Sequence, residues 1–275
     1  MKKQFSLFIY LAVVFVLSWP FQFWYVFMAK TSFDKYLFSS LSMVMVGVAT
    51  FIAGKFIFKD GFANAGWRWG KPVHYIAVLL FALLVWFVPV IIESYFGLNK
   101  PIGKIMTANM LLVFLLNFIA TLIPGFGEEF SWRGYMLPRL AAKYGAKKGL
   151  LIHAFIWWCW HLPVVIVMGL EGNDVSENSI TNVIMLILIT LIPTVLHAVI
   201  FAFIWGKTKS LAVASVYHSA FDEVRDTMEK TVGFGPLVNL WQMAVIIITG
   251  GILLWKVNWN KLLLNSKTVD KTFIR

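Results

Sequence analysis

The residues with the clearest potential for chemistry are two adjacent glutamates, Glu128 and Glu129, in a largely apolar sequence. Ionisable side chains inside apolar segments are costly to bury and usually functional. On a helix, Glu129 and Arg133 are i,i+4 neighbours and can pair, whereas Glu128 points about 100° away. This spacing predicts that Glu129 and Arg133 hold the backbone while Glu128 holds a water or a metal. The alternative is a solvated helix start, where acidic side chains favour the positive end of the helix dipole.

Two histidines in other apolar segments are candidates for the same site. His161 lies about twelve residues, or about 18 Å, into a predicted fifth helix, and a neutral imidazole there needs a hydrogen-bond partner. His218 and Asp222 share a helix face at i,i+4 spacing, so the carboxylate can fix the tautomer of the histidine or share a site with it. The alternatives are a helix-packing role for His161 and a helix-end pair beside a charged loop for His218 and Asp222.

The other ionisable groups have weaker sequence contexts. His74, at a helix start, and His153, about 80° off the helix face of His161, are predicted to be structural. His197 lies in mid-helix without an acidic neighbour and could contribute to a cavity. Glu93, near the end of the third helix, is expected at the membrane interface. The tryptophans and methionines are expected to pack or to face lipid.

Composition places these residues in a membrane protein. Of the 275 residues, 60% are hydrophobic and 13% are charged, whereas soluble domains carry about 25% charged residues. The net charge of +11 does not indicate a nucleic-acid partner, because the basic residues lie in short loops between apolar runs. The single cysteine, Cys159, excludes a disulfide framework within one chain and a CxxC metal motif.

The apolar runs predict an all-α fold, a polytopic transmembrane bundle of about eight helices. The basic N-terminus precedes an apolar run that continues to about Ala29 without a small-residue cleavage site, which favours a retained first helix. Residues 125–148, rich in glycine and proline, are expected to form a long connection, and the polar segment 171–179 a loop. No internal repeat is found, so 1–275 is predicted to be a single membrane domain. The eight predicted helices cover roughly 5–29, 37–58, 73–97, 105–124, 149–170, 180–206, 211–227 and 236–256.

The distribution of basic residues predicts the orientation of the bundle. If the N-terminus is cytoplasmic, three quarters of the 24 lysines and arginines fall in cytoplasmic segments. Basic residues concentrate on the cytoplasmic side of membrane proteins. We therefore expect both termini in the cytoplasm and the loop 171–179 outside.

The motifs resemble those of the CPBP or Abi family of intramembrane proteases, which includes CAAX prenyl endopeptidases and bacteriocin-immunity proteins. The family pattern is EExxxR, then FxxxH, then HxxxN or HxxxD. The first motif is matched in full by Glu128, Glu129 and Arg133. The second is matched at His161, with a tryptophan in place of the phenylalanine, and the third by His218 with Asp222, where asparagine is commoner. The resemblance runs from about 120 to 225, the expected catalytic core.

The resemblance implies hydrolysis of a peptide bond in a membrane-associated protein or peptide, in a cavity within a bacterial cell membrane. Glu128 would be the general base for a water, and His161 would help to hold that water. His218 and Asp222 would stabilise the oxyanion or bind metal. Because an ionised Asp222 cannot donate a hydrogen bond, it would be protonated, orient His218 or ligate a metal. Glu128, His161 and His218 are a reasonable zinc set, and a metal-free glutamate mechanism is equally open.

Two other classes of function compete with the protease. One is a non-catalytic membrane scaffold, immunity factor or regulator, against which the intact EExxxR motif and both histidines argue. The other is a small transporter with an ion path through buried charges. The sequence shows neither an inverted repeat nor paired broken helices, which are typical of transporters.

Overall fold

A computed structural model describes residues 5–99, 108–171 and 179–264, and throughout these ranges the regular structure is helical. Most of the loop predicted at 171–179, the first four residues and the C-terminal segment therefore lie outside the described residues. The α-helices are α1 (Leu7–Phe27), α2 (Ser32–Ile52), α3 (Pro72–Tyr95), α4 (Ala108–Glu129), α5 (Leu137–Tyr144), α6 (Ala146–Trp160), α7 (Leu162–Glu171), α8 (Ser179–Thr208), α9 (Leu211–Thr231), α10 (Pro236–Lys256) and α11 (Trp259–Leu263).

The fold is the expected polytopic helical bundle. Six helical segments of the described chain are long and apolar enough to cross a membrane, and α6 with α7 makes a seventh span bent by 44°. The predicted seventh helix, 211–227, forms as α9 but does not meet the same test. This helix carries a run of charged residues in its second half. The bend lies at His161, so the fifth helix, predicted to be continuous, is broken there.

The prediction of a long connection at 125–148 is wrong, because this segment is helical almost throughout. α4 continues into a π-helix, Phe130–Met136, and then into α5, so that the span Met110–Tyr144 has 35 residues. Proline and glycine had suggested a break. Both are tolerated in transmembrane helices, where neighbouring helices satisfy the backbone. All seven residues of the π-helix are buried.

Two of these glycines allow close packing of the helices around the glutamate pair. A Cβ atom on Gly127 would lie 2.8 Å from the carbonyl oxygen of Met43 in α2. A Cβ atom on Gly125 would lie 3.2 Å from Oγ of Ser219 in α9. Small residues let backbones approach closely in membrane bundles. The turn of α4 before the glutamates is therefore pressed against both α2 and α9.

The bundle has two distinguishable ends. At one end, which we call the basic end, the loop after α2 meets the start of α9, and the amide of Leu211 donates to the carbonyl of Gly66 over 2.9 Å. Arg139 of α5 also binds Asp60 of that loop there, over 2.7 Å. The opposite end holds the end of α3, the end of α9 and the start of α10.

Glu93, expected at the membrane interface, fixes the opposite end. The carboxylate is fully buried and accepts hydrogen bonds from the amides of Gly235, Leu237 and Val238, at 2.7 to 3.0 Å. Amides at a helix N-terminus lack intrahelical partners and favour a negative charge. Glu93 therefore caps α10 from α3.

Candidate active site

Four elements converge on the glutamate pair: the end of α4, the π-helix, the bend between α6 and α7, and the middle of α9. All six candidate site residues lie on these elements. They are Glu128, Glu129, Arg133, His161, His218 and Asp222.

Glu129 is the centre of a buried ion-pair group. Its Oε1 accepts from Nη1 of Arg133 at 2.8 Å, which is the predicted i,i+4 pair. The same oxygen lies 2.9 Å from Nδ1 of His218, so α4 and α9 are joined through this carboxylate. Glu129 and Arg133 are both fully buried. Since breaking a buried pair leaves an uncompensated charge, this arrangement fixes both side chains.

Arg133 is also held between two aromatic rings. The guanidinium carbon lies 4.5 Å from the ring centre of Trp157 in α6 and 4.1 Å from that of Phe201 in α8. Cation–π contacts of this kind gain strength when they are desolvated. The π-helix is thereby docked against α6 and α8 by a charged residue.

Glu128 has a different environment from its neighbour. Its Oε2 accepts from the indole nitrogens of Trp132 and Trp157, at 3.1 and 3.0 Å. No described residue forms an ion pair with Glu128 or donates a hydrogen bond to its Oε1. The carboxylate is held by neutral donors on one oxygen, and the other oxygen is left to accept a proton.

His161 lies where α6 ends and α7 begins. Its Nδ1 is 2.8 Å from the carbonyl oxygen of Trp157, which requires the proton to be on Nδ1. This tautomer leaves Nε2 as an acceptor. The ring is packed edge-on against Trp157 and Trp160, with ring centres 4.8 Å apart in both cases. Trp157 thus contacts both Glu128 and His161.

His218 lies between two carboxylates. Nδ1 faces Glu129, and Nε2 lies 3.4 Å from Oδ2 of Asp222. The second oxygen of Asp222 is 3.2 Å from Nη1 of Arg225, whose Nε donates to Asp226 at 2.8 Å. Both nitrogens of His218 therefore face acceptors, and Asp222 accepts from two cationic groups.

The remaining histidines stay outside this arrangement. Nε2 of His197 is 2.8 Å from the hydroxyl of Tyr217, and its ring packs 4.3 Å from that of Phe221. His153 is completely buried in α6. His74 caps the start of α3 through a contact with the amide of Lys71. No polar contact joins these three histidines to the glutamate pair within the described residues.

Sequence reasoning missed the indole donors and Arg225. The tryptophans were expected to pack or face lipid, yet Trp132 and Trp157 are buried and hydrogen bonded to Glu128. Trp132 follows Glu128 by four residues, so helical spacing could have indicated its contact. Arg225, three residues after Asp222, was equally visible from spacing. The contact of Trp157 depends on tertiary packing and has no local signal.

The donor set does not fit the predicted zinc site. Within the described parts of the chain, no group of three or more His, Cys, Asp or Glu side chains is placed to hold a metal ion. Zinc binding needs an unprotonated imidazole nitrogen, but both nitrogens of His218 face carboxylates. Of the three proposed ligands, Glu128 and His161 each keep one free position.

Comparison with known proteins supports the family resemblance. Residues 107–224 match the family model described as type II CAAX prenyl endopeptidase Rce1-like. The matched segment contains all six candidate site residues and somewhat less than half of the chain. A search of curated proteins gave no match. The resemblance to the CAAX proteases, predicted from the three motifs, is thus confirmed over this segment.

Proposed function

We propose that this chain is an intramembrane endopeptidase that hydrolyses a peptide bond of a membrane-associated protein or peptide. The family match implies CAAX-type endopeptidase activity. The observation that carries the proposal is the contrast between the adjacent glutamates. Glu129 is neutralised by Arg133 and His218, whereas Glu128 has only neutral indole donors. Neighbouring carboxylates in such different surroundings are typical of a divided structural and acid–base role.

The mechanism begins with a water between Glu128 and His161. Oε1 of Glu128 takes a proton from this water, and Nε2 of His161 accepts the hydrogen bond that orients it. The water oxygen then bonds to the carbonyl carbon of the substrate, forming a tetrahedral oxyanion. When the C–N bond breaks, Glu128 returns the proton to the leaving amine.

His218 is suited to stabilise the oxyanion. Its Nε2 proton has only a long contact, 3.4 Å, with Asp222, so an oxyanion can compete for it. The contact of Asp222 with Arg225 offsets the negative charge that would repel an oxyanion. Of the three roles considered for Asp222, these contacts favour orientation of His218. This mechanism needs no metal ion, in keeping with the poor fit of the donor set.

The proposal is tested by comparing Glu128→Gln with Glu129→Gln in the purified full-length protein. The substrate is a quenched fluorogenic peptide with a farnesylated CaaX terminus, and thermal unfolding in detergent is measured alongside. Loss of a general base costs about 10²- to 10⁴-fold in rate, so Glu128→Gln should lose hydrolysis and keep its thermal stability. Glu129→Gln leaves Arg133 without its carboxylate and should lower stability by about 3–5 kcal/mol.

The reversed pattern would contradict the assignment. If Glu128→Gln unfolded the protein and Glu129→Gln had no effect, the roles of the two glutamates would be exchanged. A folded Glu128→Gln protein that cleaved as fast as the unmodified protein would favour the non-catalytic scaffold or immunity role.

A further inference from the structure

His197 lies beside the candidate site on the inner face of α8. The exposed apolar residues Ile184, Leu188 and Ile192 lie about 140–180° around the helix from it, so the lipid-facing side of α8 is opposite to His197. The imidazole is nevertheless partly exposed. Polar side chains within a membrane bundle face its interior or a cavity. The exposed part of His197 therefore faces the interior of the bundle.

Aromatic side chains connect His197 with the candidate site. Its ring centre lies 6.0 Å from that of Trp157 and 4.8 Å from that of Phe201. Trp157 also packs against His161, with ring centres 4.8 Å apart. Phe201 packs against His218, with ring centres 5.4 Å apart. His197 is thus separated from each of the two site histidines by a single aromatic ring.

The charges of the site also act on His197. Its imidazole interacts electrostatically with four candidate site residues: Arg133, Asp222, His218 and His161. Of these, Asp222 and His161 are partly exposed, as His197 is. The three partly exposed side chains therefore border one cleft, although His197 makes no polar contact with the glutamate pair.

The hydrogen bond to Tyr217 fixes the tautomer of His197. Nε2 lies 2.8 Å from the hydroxyl of Tyr217, which is completely buried and has no other hydrogen-bond partner among the described residues. Buried polar groups need a partner, so the hydroxyl donates to Nε2 and the imidazole proton is on Nδ1. Nδ1 has no partner in the described ranges, but unlike the nitrogens of His153 it is not fully buried. His197 therefore presents an unused N–H donor to the cleft.

We propose that His197 binds the substrate by donating a hydrogen bond from Nδ1 to one of its backbone carbonyls. Resting on the proposed function, this adds a second anchor beside His218, the donor to the oxyanion. Successive residues of an extended peptide are about 3.3 Å apart, so a carbonyl within about three residues of the scissile bond reaches a ring that only Phe201 separates from His218. A neutral donor among aromatic rings suits an uncharged peptide group, because a charge would be costly to desolvate there.

His197→Asn and His197→Gln distinguish substrate binding from the contact with Tyr217. The amide of asparagine reaches the position of Nδ1 and can donate there, whereas the amide of glutamine reaches the position of Nε2 and can accept from Tyr217 instead. We expect His197→Asn to keep KM for the farnesylated fluorogenic peptide within about twofold. In His197→Gln the loss of one neutral hydrogen bond should raise KM about two- to tenfold. Its kcat should change little, because the lost interaction is present in the ground state and the transition state alike.

An apolar pair keeps the test valid if an unpaired Tyr217 hydroxyl destabilises a single variant. Tyr217→Phe combined with His197→Phe leaves no buried hydroxyl without a partner, and KM should still rise about two- to tenfold. A normal KM for this double variant would overturn the proposal. So would any result in which folded His197→Asn has a KM no lower than that of His197→Gln, because His197 would then act through Tyr217 or through ring packing alone.

Binding to the Glu128→Gln protein separates this proposal from the proposed function. The farnesylated peptide with a single fluorophore is titrated onto this protein in nanodiscs, with protein-free nanodiscs as the blank. Adding His197→Gln should weaken binding about two- to tenfold, and adding His197→Asn should weaken it less. The absence of cleavage by the unmodified protein would contradict the proposed function. Equal binding by the two double variants would instead contradict the role of His197.

Discussion

The carboxylate of Glu128 depends on two indole groups from different parts of the fold. Trp132 lies one turn further along the same helical segment, and Trp157 approaches from α6. Each hydrogen bond contributes about 0.5–1.5 kcal/mol, and together they fix the orientation of the carboxylate without neutralising it. A cation in either position would pair with the carboxylate and reduce its capacity to accept a proton.

Replacing Trp157 by phenylalanine tests this positioning role. An aromatic ring remains over Arg133, and phenylalanine is the residue of the FxxxH pattern that this position resembles, so we expect a folded protein. The hydrogen bond to Glu128 is lost, and kcat should fall by about two- to tenfold, the equivalent of about 0.5–1.4 kcal/mol. Steady-state kinetics with the farnesylated fluorogenic peptide gives kcat and KM separately, and KM should change little.

Trp158→Phe is the matched control for that variant. The indole nitrogen of Trp158 donates to Thr190 at 3.3 Å, away from Glu128. This variant loses a similar hydrogen bond and should keep its kcat. Equal losses of kcat in both variants would mean that tryptophan removal acts only through stability.

Asp222 offers a second test, because its two oxygens have different partners. In Asp222→Asn the amide oxygen can still accept from His218, and Arg225 keeps its contact with Asp226. We expect this variant to keep hydrolysis within about tenfold of the original rate, a cost of about 1.4 kcal/mol or less. Arg225→Gln should lose more activity, because Asp222 then keeps only its long contact with His218 to offset its charge near the oxyanion.

Combining Asp222→Asn with Arg225→Gln distinguishes an effect of charge on the rate from an effect of structure. If Asp222 and Arg225 act as a charge pair, adding Asp222→Asn to Arg225→Gln should recover part of the lost rate. A folded Asp222→Asn protein without hydrolysis at any pH would contradict the orienting role, and strictly additive losses would contradict the charge pair.

The residues of the site differ in how well the sequence predicts them. The pair of Glu129 and Arg133 follows from i,i+4 spacing, because both residues lie on one helical segment. The contact of His218 with Glu129 joins α4 to α9, and helical spacing carries no information about such tertiary contacts. The motif resemblance assigned these residues to one site. The hydrogen bonds that distinguish the roles of the two glutamates are visible only in the packed structure.

At the scale of helices, glycine and proline do not break the chain where a break was predicted. In water these residues commonly end a helix, and the segment after Pro124 was therefore predicted to be a connection. In this bundle, Gly125 and Gly127 instead let α9 and α2 approach α4 closely. A π-helix follows directly, and π-helical turns are frequent at functional sites. The segment that carries Glu129 and Arg133 is also completely buried.

The bend at His161 is a second element that sequence periodicity could not indicate. Apolar character continues from α6 into α7, so composition alone predicts one helix. The bend coincides with the contact of His161 with the carbonyl of Trp157. It turns α7 away from α6 at the level of the candidate site, and the histidine is left partly exposed.

In the whole molecule, tight packing is concentrated toward the basic end. The end of α4, the π-helix and the first half of α9 are buried almost completely, whereas the first half of α4 presents mostly exposed apolar side chains, as expected of a lipid-facing surface. The fold class was predictable, because hydropathy reports the solvent around each helix, although eight spans were predicted and six or seven of the described helical segments are long and apolar enough. The uneven packing was not, since it depends on which helices meet.

This uneven packing predicts different amide exchange in the two halves of α9. Residues 213–221 are almost all buried, whereas residues 225–231 include four charged side chains that are partly buried or exposed. Amides in tightly packed, dry segments exchange only when the structure opens, and hydrated helix ends open locally at low cost. Hydrogen–deuterium exchange of the detergent-solubilised protein should show at least tenfold slower exchange for peptides from 213–221. Equal protection of both halves, or faster exchange in 213–221, would contradict the uneven packing of α9.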